Sequence, residues 1–310
     1  MQLKASAPGS LMLLGEYAVL HGKHALVCAI DKRITVTLTP RTDEIITIVG
    51  LQENYSTTLT ELSITQPFQF VLGALKQYHG RLRRGCDIEI VSEFSDKIGF
   101  GSSAAVTVAT LAAIVTWLNI RISPIELVRM GRNVVRQVQG LGSGADIAAS
   151  VYGGMVGYQA QPLSAEKFAT LHPLTAIYSG FKTPTIDAIK HVQDYFSPHP
   201  NVFRQLSNSI GQCALDGMHL VRKESWARLG EMMNIQQGLM ESLGVSTPLL
   251  RDIVYKLRQE TGVLGTKISG AGLGDCVIGL GTMSQSETLM DGVEQIPVAM
   301  TLQGVNCEKY

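Results

Sequence analysis

The sequence predicts an α+β protein of two domains, and three observations carry that prediction. Strand-like runs crowd residues 1–48, helix-like runs follow as far as Tyr152, and a second round of strands and helices begins after Gly153-Gly154. Runs of strands followed by runs of helices mark mixed α+β architecture. The chain has 310 residues, enough for two medium domains, and 45% are hydrophobic, which allows each a core. Three glycine-rich loops, far apart in the chain, each adjoin an apolar strand or helix.

In order, Leu3 to Ser6 and Leu11 to Leu14 read as strands around a turn at Ala7-Pro8-Gly9, and His21-Gly22-Lys23 is a second turn. Leu26 to Ile30 and Ile34 to Leu38 are β-branched or alternating runs, and Thr47 to Leu59 is a weaker hairpin. Pro67 to Tyr78 has helical spacing, and Cys86 to Val91 is a strand. Ala105 to Leu118 is an apolar helix. Ser123-Pro124-Ile125-Glu126 starts another, with a serine cap, proline in the first turn and glutamate at the third position. Ile147 to Tyr152 is a short helix of small residues. The second half offers strands at Met155–Gln159, Ala176–Ser179, Thr266–Ser269, Cys276–Leu280 and Val298–Leu302. Its helices are Thr185–Tyr195, Val202–Val221, Trp226–Leu243, Pro248–Gln259 and Gln285–Val293. The composition shift around Gly153–Gln161 sets the expected domains at 1–157 and 158–310.

Twenty-six basic and 26 acidic side chains cancel, so the chain lacks the basic excess of a nucleic-acid binder. Arg81-Leu82-Arg83-Arg84 is the one tight basic cluster and reads as a solvated loop. The longest uncharged apolar run, Phe100 to Asn119, opens with glycine and serines and reads as a buried helix, so no membrane span is expected. Met1-Gln2-Leu3-Lys4 leads directly into a strand, which predicts no leader. Five scattered cysteines without metal-ligand spacing fit reduced thiols and a cytoplasmic location. The apolar stripes of the C-terminal helices read as core before dimer interface, and a homodimer stays open.

The chain is organised around Gly99-Phe100-Gly101-Ser102-Ser103-Ala104-Ala105, between a strand and a helix. Glycines let the backbone approach a ligand closely, serines offer hydroxyls where N-caps belong, and the first amides of a helix lack internal partners. Together they form a phosphate cradle, with an ordinary capped glycine turn as the plainer alternative. Gly140-Leu141-Gly142-Ser143-Gly144-Ala145-Asp146 and Gly270-Ala271-Gly272-Leu273-Gly274-Asp275 are similar loops. Three such loops suit one polyphosphate gripped from several sides. No G-x-x-x-x-G-K-[ST] is present, nor the H-R-D and D-F-G of protein kinases. Gly99 to Ala104 also matches a dinucleotide fingerprint, but it lies deep in the chain without the acidic residue that fingerprint needs.

The three loops, in order, resemble the motifs of the GHMP small-molecule kinase superfamily. Ala7-Pro8-Gly9-Ser10 through Gly15-Glu16-Tyr17 to His21-Gly22-Lys23 is similar to the first, Gly99 to Ala105 to the second, and Lys267 to Cys276 to the third. The resemblance covers the chain. It implies a ribosomal S5 domain 2-like N-terminal domain, a ferredoxin-like C-terminal domain, and ATP with Mg²⁺ at their junction. Within the superfamily the chain is most similar to mevalonate kinases, through His21-Gly22-Lys23 and Leu243 to Pro248. Gln139 to Asp146 and Gly274-Asp275-Cys276 look like phosphomevalonate kinases instead. The activity implied is phosphorylation of the mevalonate hydroxyl, a step of isoprenoid precursor synthesis. Phosphomevalonate kinase is the nearest alternative, and an inactive nucleotide-binding homologue the alternative from another class.

By the same resemblance Asp146 is the catalytic carboxylate, with an N-cap of the following helix as its plainer role. Gly99, Phe100, Gly101, Ser102, Ser103 and Ala104 would hold ATP, and the Ser103 hydroxyl the Mg²⁺. Ser10, Glu16, His21, Ser143, Gly144, Gly270, Ala271 and Gly272 would face the substrate, although His21 also reads as a surface-turn residue and the last three as a tight turn. Two positions depart from the family. Ser10 stands where mevalonate kinases carry lysine, and Val135 where they carry a metal-binding glutamate. A lysine beside the reacting hydroxyl lowers its pKa, which a serine cannot do. Lys182, among small and hydroxyl residues before a helix, is the candidate to supply that charge, or else an exposed loop lysine.

Overall fold

Two long strands make the spine of the first sheet, β1 (Leu3–Leu14) and β2 (His24–Pro40). The computed structural model describes residues 1–50, 53–283 and 289–310. The strands are longer than expected because Ala7-Pro8-Gly9 does not turn. It makes an irregularity within β1, where the register against β2 shifts between Pro8 and Ser10. Where β1 and β2 are most apolar they serve two cores at once. Met12, Ala25 and Val27 pack into the first, while Leu11, Leu13, Leu26 and Cys28 pack into the second. Burial on both faces explains a continuous apolar run in place of alternation.

The sheet runs β12-β1-β2-β5-β3-β4, with β3 at Ile45–Gly50, β4 at Glu53–Thr58, β5 at Cys86–Ser92 and β12 at Asn306–Lys309. β6 (Met155–Ala160) pairs with the first part of β2 and with β7 (Leu163–Phe168), a hairpin strand too polar to be foreseen. Four helices cover one face: α1 (Gln69–Gln77), α2 (Ser102–Trp117), α3 (Pro124–Gln139) and α4 (Ala145–Tyr152). α2 is buried from Ala104 to Val115, which accounts for its apolar character all round. α3 opens with the expected capping box between Ser123 and Glu126.

The second sheet has the order β11-β8-β10-β9, with β8 at Leu174–Tyr178, β9 at Val263–Ser269, β10 at Cys276–Gly281 and β11 at Glu294–Ile296. Its helices are α5 (Thr185–Phe196), α6 (Pro200–Arg222), α7 (Trp226–Ser242) and α8 (Pro248–Arg258). The second core joins the sheets, with α6 and α7 residues Ala214, Met218, Leu229 and Met233 meeting Leu14 and Leu26. The α+β, two-sheet organisation is therefore the one the sequence predicts.

Three details differ. The division at 157/158 falls inside β6, and the chain returns at its end to pair β12 with β1. The strand expected at Val298–Leu302 is reduced to a single bridge between Ile30 and Met300. Of the helix expected at Gln285–Val293, positions 285–288 lie outside the described residues and 289–293 run as bends and turns. Among the described residues no helix is long and apolar enough to cross a membrane.

Candidate active site

The β5–α2 loop is anchored by Phe100. The Phe100 side chain is fully buried in the second core, 5.9 Å centroid to centroid from Phe94. Its carbonyl accepts the Ser10 amide at 3.0 Å, tying the loop to the irregularity in β1. Gly101 caps α2 at φ +66°, and a Cβ there would lie 2.3 Å from Ser10 Oγ, so backbone and space both demand glycine. Ser102 and Ser103 are thus the first helical residues and not the expected caps. Their hydroxyls and first-turn amides stand at the positive end of a long helix. Both line an open cavity of about 560 Å³ with Gly99, Gly101, Asp146 and Lys182.

Asp146 is not a cap either. Gly144, at φ +90°, caps α4, and Asp146 is the second helical residue. Its Oδ1 accepts the Ser10 hydroxyl at 2.8 Å. Burial pushes its carboxyl above the ordinary range, opposed by the Ser10 hydrogen bond and by the Lys182 charge. The loop before it is pinned from two sides, Tyr158 Oη donating to the Ser143 carbonyl at 2.6 Å and Arg136 Nε to that of Gly142 at 3.0 Å. Lys182, in the exposed loop from β8 to α5, donates to the Asp96 carbonyl at 2.8 Å on the rim of the cavity.

A smaller cavity of about 160 Å³ opens beside the first. Its walls include Val19, Leu20, Val135, Leu141 and Ile189, and its polar edge Ser143, Gly144 and Asp146. Val135 is therefore apolar wall and offers no metal ligand. Among the described residues no lysine, arginine or histidine lines this cavity. Asp146, Ser103, Gly270 and Ala271 line both cavities, and Ala104 lines the smaller one alone.

Glu16 borders the smaller cavity, but its carboxylate is spoken for. Lys267 Nζ donates to Oε1 and Gln236 Nε2 to Oε2, while Gln236 Oε1 accepts the Gly15 amide at 3.0 Å. Desolvation pushes the Glu16 pKa up and that of Lys267 down, each opposed by the other's charge. His21 lies outside both cavities, 5.1 Å from the Phe203 ring at an edge-to-face angle. Gly272, at φ +75°, packs on Val245, whose carbonyl a Cβ would approach to 2.7 Å.

Two residues join the site without having been foreseen. Tyr17, held at φ +62°, donates its hydroxyl to the Ala271 carbonyl at 2.5 Å and so ties the first motif to the third. Asp275 ends the third loop, lines the larger cavity and is buried, its carboxyl pushed up to about 6 by desolvation. Both lie within the motifs the sequence shows, but only the pairing of distant loops marks them as site residues. The glycine cradle, the half-buried start of α2 and the oxygen-rich wall fit a polyphosphate with a hard cation.

Known proteins share this fold. The family model of the GHMP kinases N terminal domain matches residues 68–154, and that of the GHMP kinases C terminal matches 218–294. The chain is 32% identical over 306 residues to the mevalonate kinase of Thermococcus sibiricus, covering 93% of this chain and 91% of the relative. The crystal structure of the Methanococcus jannaschii mevalonate kinase superposes with a TM-score of 0.78 at 22% identity, covering 96% of this chain and 98% of that one. The phosphomevalonate kinase of Streptococcus pneumoniae, in complex with phosphomevalonate and AMPPNP, gives a TM-score of 0.78 at 19% identity, over 95% and 98%.

Proposed function

Because the chain belongs to the GHMP kinase family, we propose that it transfers the γ-phosphoryl group of ATP to the hydroxyl of mevalonate, giving 5-phosphomevalonate. One observation carries the reading. Asp146 lines both the large cavity beside the glycine cradle and the small one, so a nucleotide in the first and an alcohol in the second would meet at its carboxylate. In-line transfer needs a group that orients the alcohol oxygen and accepts its proton, and a half-buried carboxylate whose pKa desolvation raises suits that task. The Ser10 hydroxyl takes Oδ1, which leaves Oδ2 for the alcohol. Ser10 thus positions the base, and Lys182 supplies the positive charge that a serine cannot.

Ser102, Ser103 and the loop amides would bind the phosphates, with the Ser103 hydroxyl toward magnesium, whose charge offsets that on the transferring group. Among the described residues no cation lines the small cavity, which favours an alcohol without a phosphate of its own over phosphomevalonate. All five cysteines are free thiols, four of them buried, in keeping with a reduced cytoplasmic protein.

A coupled ADP-release assay with MgATP, run in parallel on mevalonate and 5-phosphomevalonate, tests the reading. Turnover on mevalonate alone supports it. Turnover confined to phosphomevalonate transfers the assignment to the sister activity. ATP binding with no ADP release across a panel of alcohols defines an inactive homologue.

A further inference from the structure

Asp275 is nearly buried, 5% exposed, and its Oδ1 has no hydrogen-bond partner among the described residues. A buried carboxylate in that condition is costly unless something else pairs with it. Its main chain is locked. The amide donates to the Phe181 carbonyl at 2.9 Å, and the carbonyl accepts the Ser179 amide at 3.0 Å, at φ +65°. The side chain is thereby held against the phosphate loop, since a Cβ on Gly99 would lie 3.0 Å from its Cγ and 3.3 Å from Oδ1. It shares the wall of the large cavity with Ser103, Asp146 and Lys182.

We propose that Asp275 is a carboxylate ligand of the divalent cation that enters with the nucleotide. The assignment rests on the kinase reading and adds a metal-binding residue to it. A bare carboxylate beside the phosphate cradle repels a polyphosphate, and a cation between them reverses the sign of that interaction. Magnesium is commonly held by one or two carboxylates together with substrate phosphates, so no full protein cage is needed. Among the described residues no three acidic, histidine or cysteine side chains cluster into one. The buried Glu16 is engaged with Lys267 and Gln236, and the half-buried Asp146 has one oxygen held by Ser10. Desolvation pushes the Asp275 carboxyl up to about 6, and the Lys182 charge opposes that rise.

The test uses the full chain, a non-hydrolysable ATP analogue, and Mn²⁺ as a probe followed by its electron paramagnetic resonance. Asparagine tolerates left-handed backbone, so Asp275→Asn is expected to fold, and Asp275→Ser is a second neutral replacement. Each is expected to weaken Mn²⁺ binding to the protein–analogue complex at least about tenfold, the low end for disturbing a metal site. Metal-free analogue should bind both variants at least as tightly as it binds the unmodified protein, since a repulsive charge has gone. A merely structural aspartate would not separate the two readouts. Unchanged Mn²⁺ affinity in both variants, beside a normal titration of the unmodified protein, overturns the assignment and leaves the kinase reading intact. Failure of the unmodified protein to bind the analogue with or without Mn²⁺ overturns the kinase reading, and this assignment with it.

Discussion

Glu16 and Asp275 are both buried carboxylates at the junction of the two sheets, and the fold treats them in opposite ways. Glu16, just past the end of β1, is met by an ammonium and an amide from the other half of the chain. Asp275, at the end of the third loop, is met on Oδ1 by nothing among the described residues. The first arrangement satisfies a charge with protein groups and so fastens β9 and α7 to β1. The second leaves a charge for something else to satisfy. Asp146 lies between the extremes, with one oxygen held by Ser10. At this junction, partners mark a carboxylate that holds the fold, and their absence marks one that faces a ligand.

Four variants can break or sharpen that comparison. The largest effect belongs to Asp146→Asn, expected to lower kcat by about 10²- to 10⁴-fold while ATP affinity and melting temperature hold, because only proton acceptance is lost. Near-normal turnover would move Asp146 to the structural side. Next comes Lys267→Met, which strands the Glu16 charge. Removing one partner of a buried pair costs about 3–5 kcal/mol, so its urea midpoint should fall sharply, while Glu16→Leu combined with Lys267→Met should recover much of the loss. If the double variant were no more stable than the single one, the pair would be more than a fastener.

Ser10→Ala should act on pH dependence. A protonated Asp146 cannot accept a proton, so kcat/KM falls on the acid side as pH drops through its pKa. The Ser10 hydrogen bond stabilises the charged form, hence its loss raises that pKa and moves the acid limb to higher pH. An unmoved limb would dissociate Ser10 from the base. The smallest effect is expected from Lys182→Ala. Its ammonium is solvent-exposed, and exposed charge interactions are worth about 1 kcal/mol or less, so kcat/KM should fall about fivefold at most. No change at all would remove Lys182 from the mechanism.

Much of the fold was legible locally. The alternation in Ile34–Leu38, the capping box at Ser123 and the apolar run of α2 each follow from rules that act within a few residues. Glycine at 101 and 144 was likewise readable as loop backbone, because a left-handed conformation leaves its mark on residue type. The polar strand β7 and the C-terminal strand β12 were not readable, since each forms only by pairing with an edge built elsewhere. The same holds for Ala7-Pro8-Gly9, where β2 carries the chain straight through an expected turn.

By itself the sequence determined the α+β class and the three glycine loops, products of short-range chemistry, and its likeness to the GHMP motifs offered Asp146 as a candidate carboxylate. Only the tertiary structure decided which role each side chain takes. It locked Glu16 to Lys267 across 251 positions of sequence, set Ser10 on Asp146 across 136, left His21 outside both cavities, and brought Asp275 against Gly99. A carboxylate's chemistry depends on its desolvation and its partners, and both are supplied by residues distant in the chain.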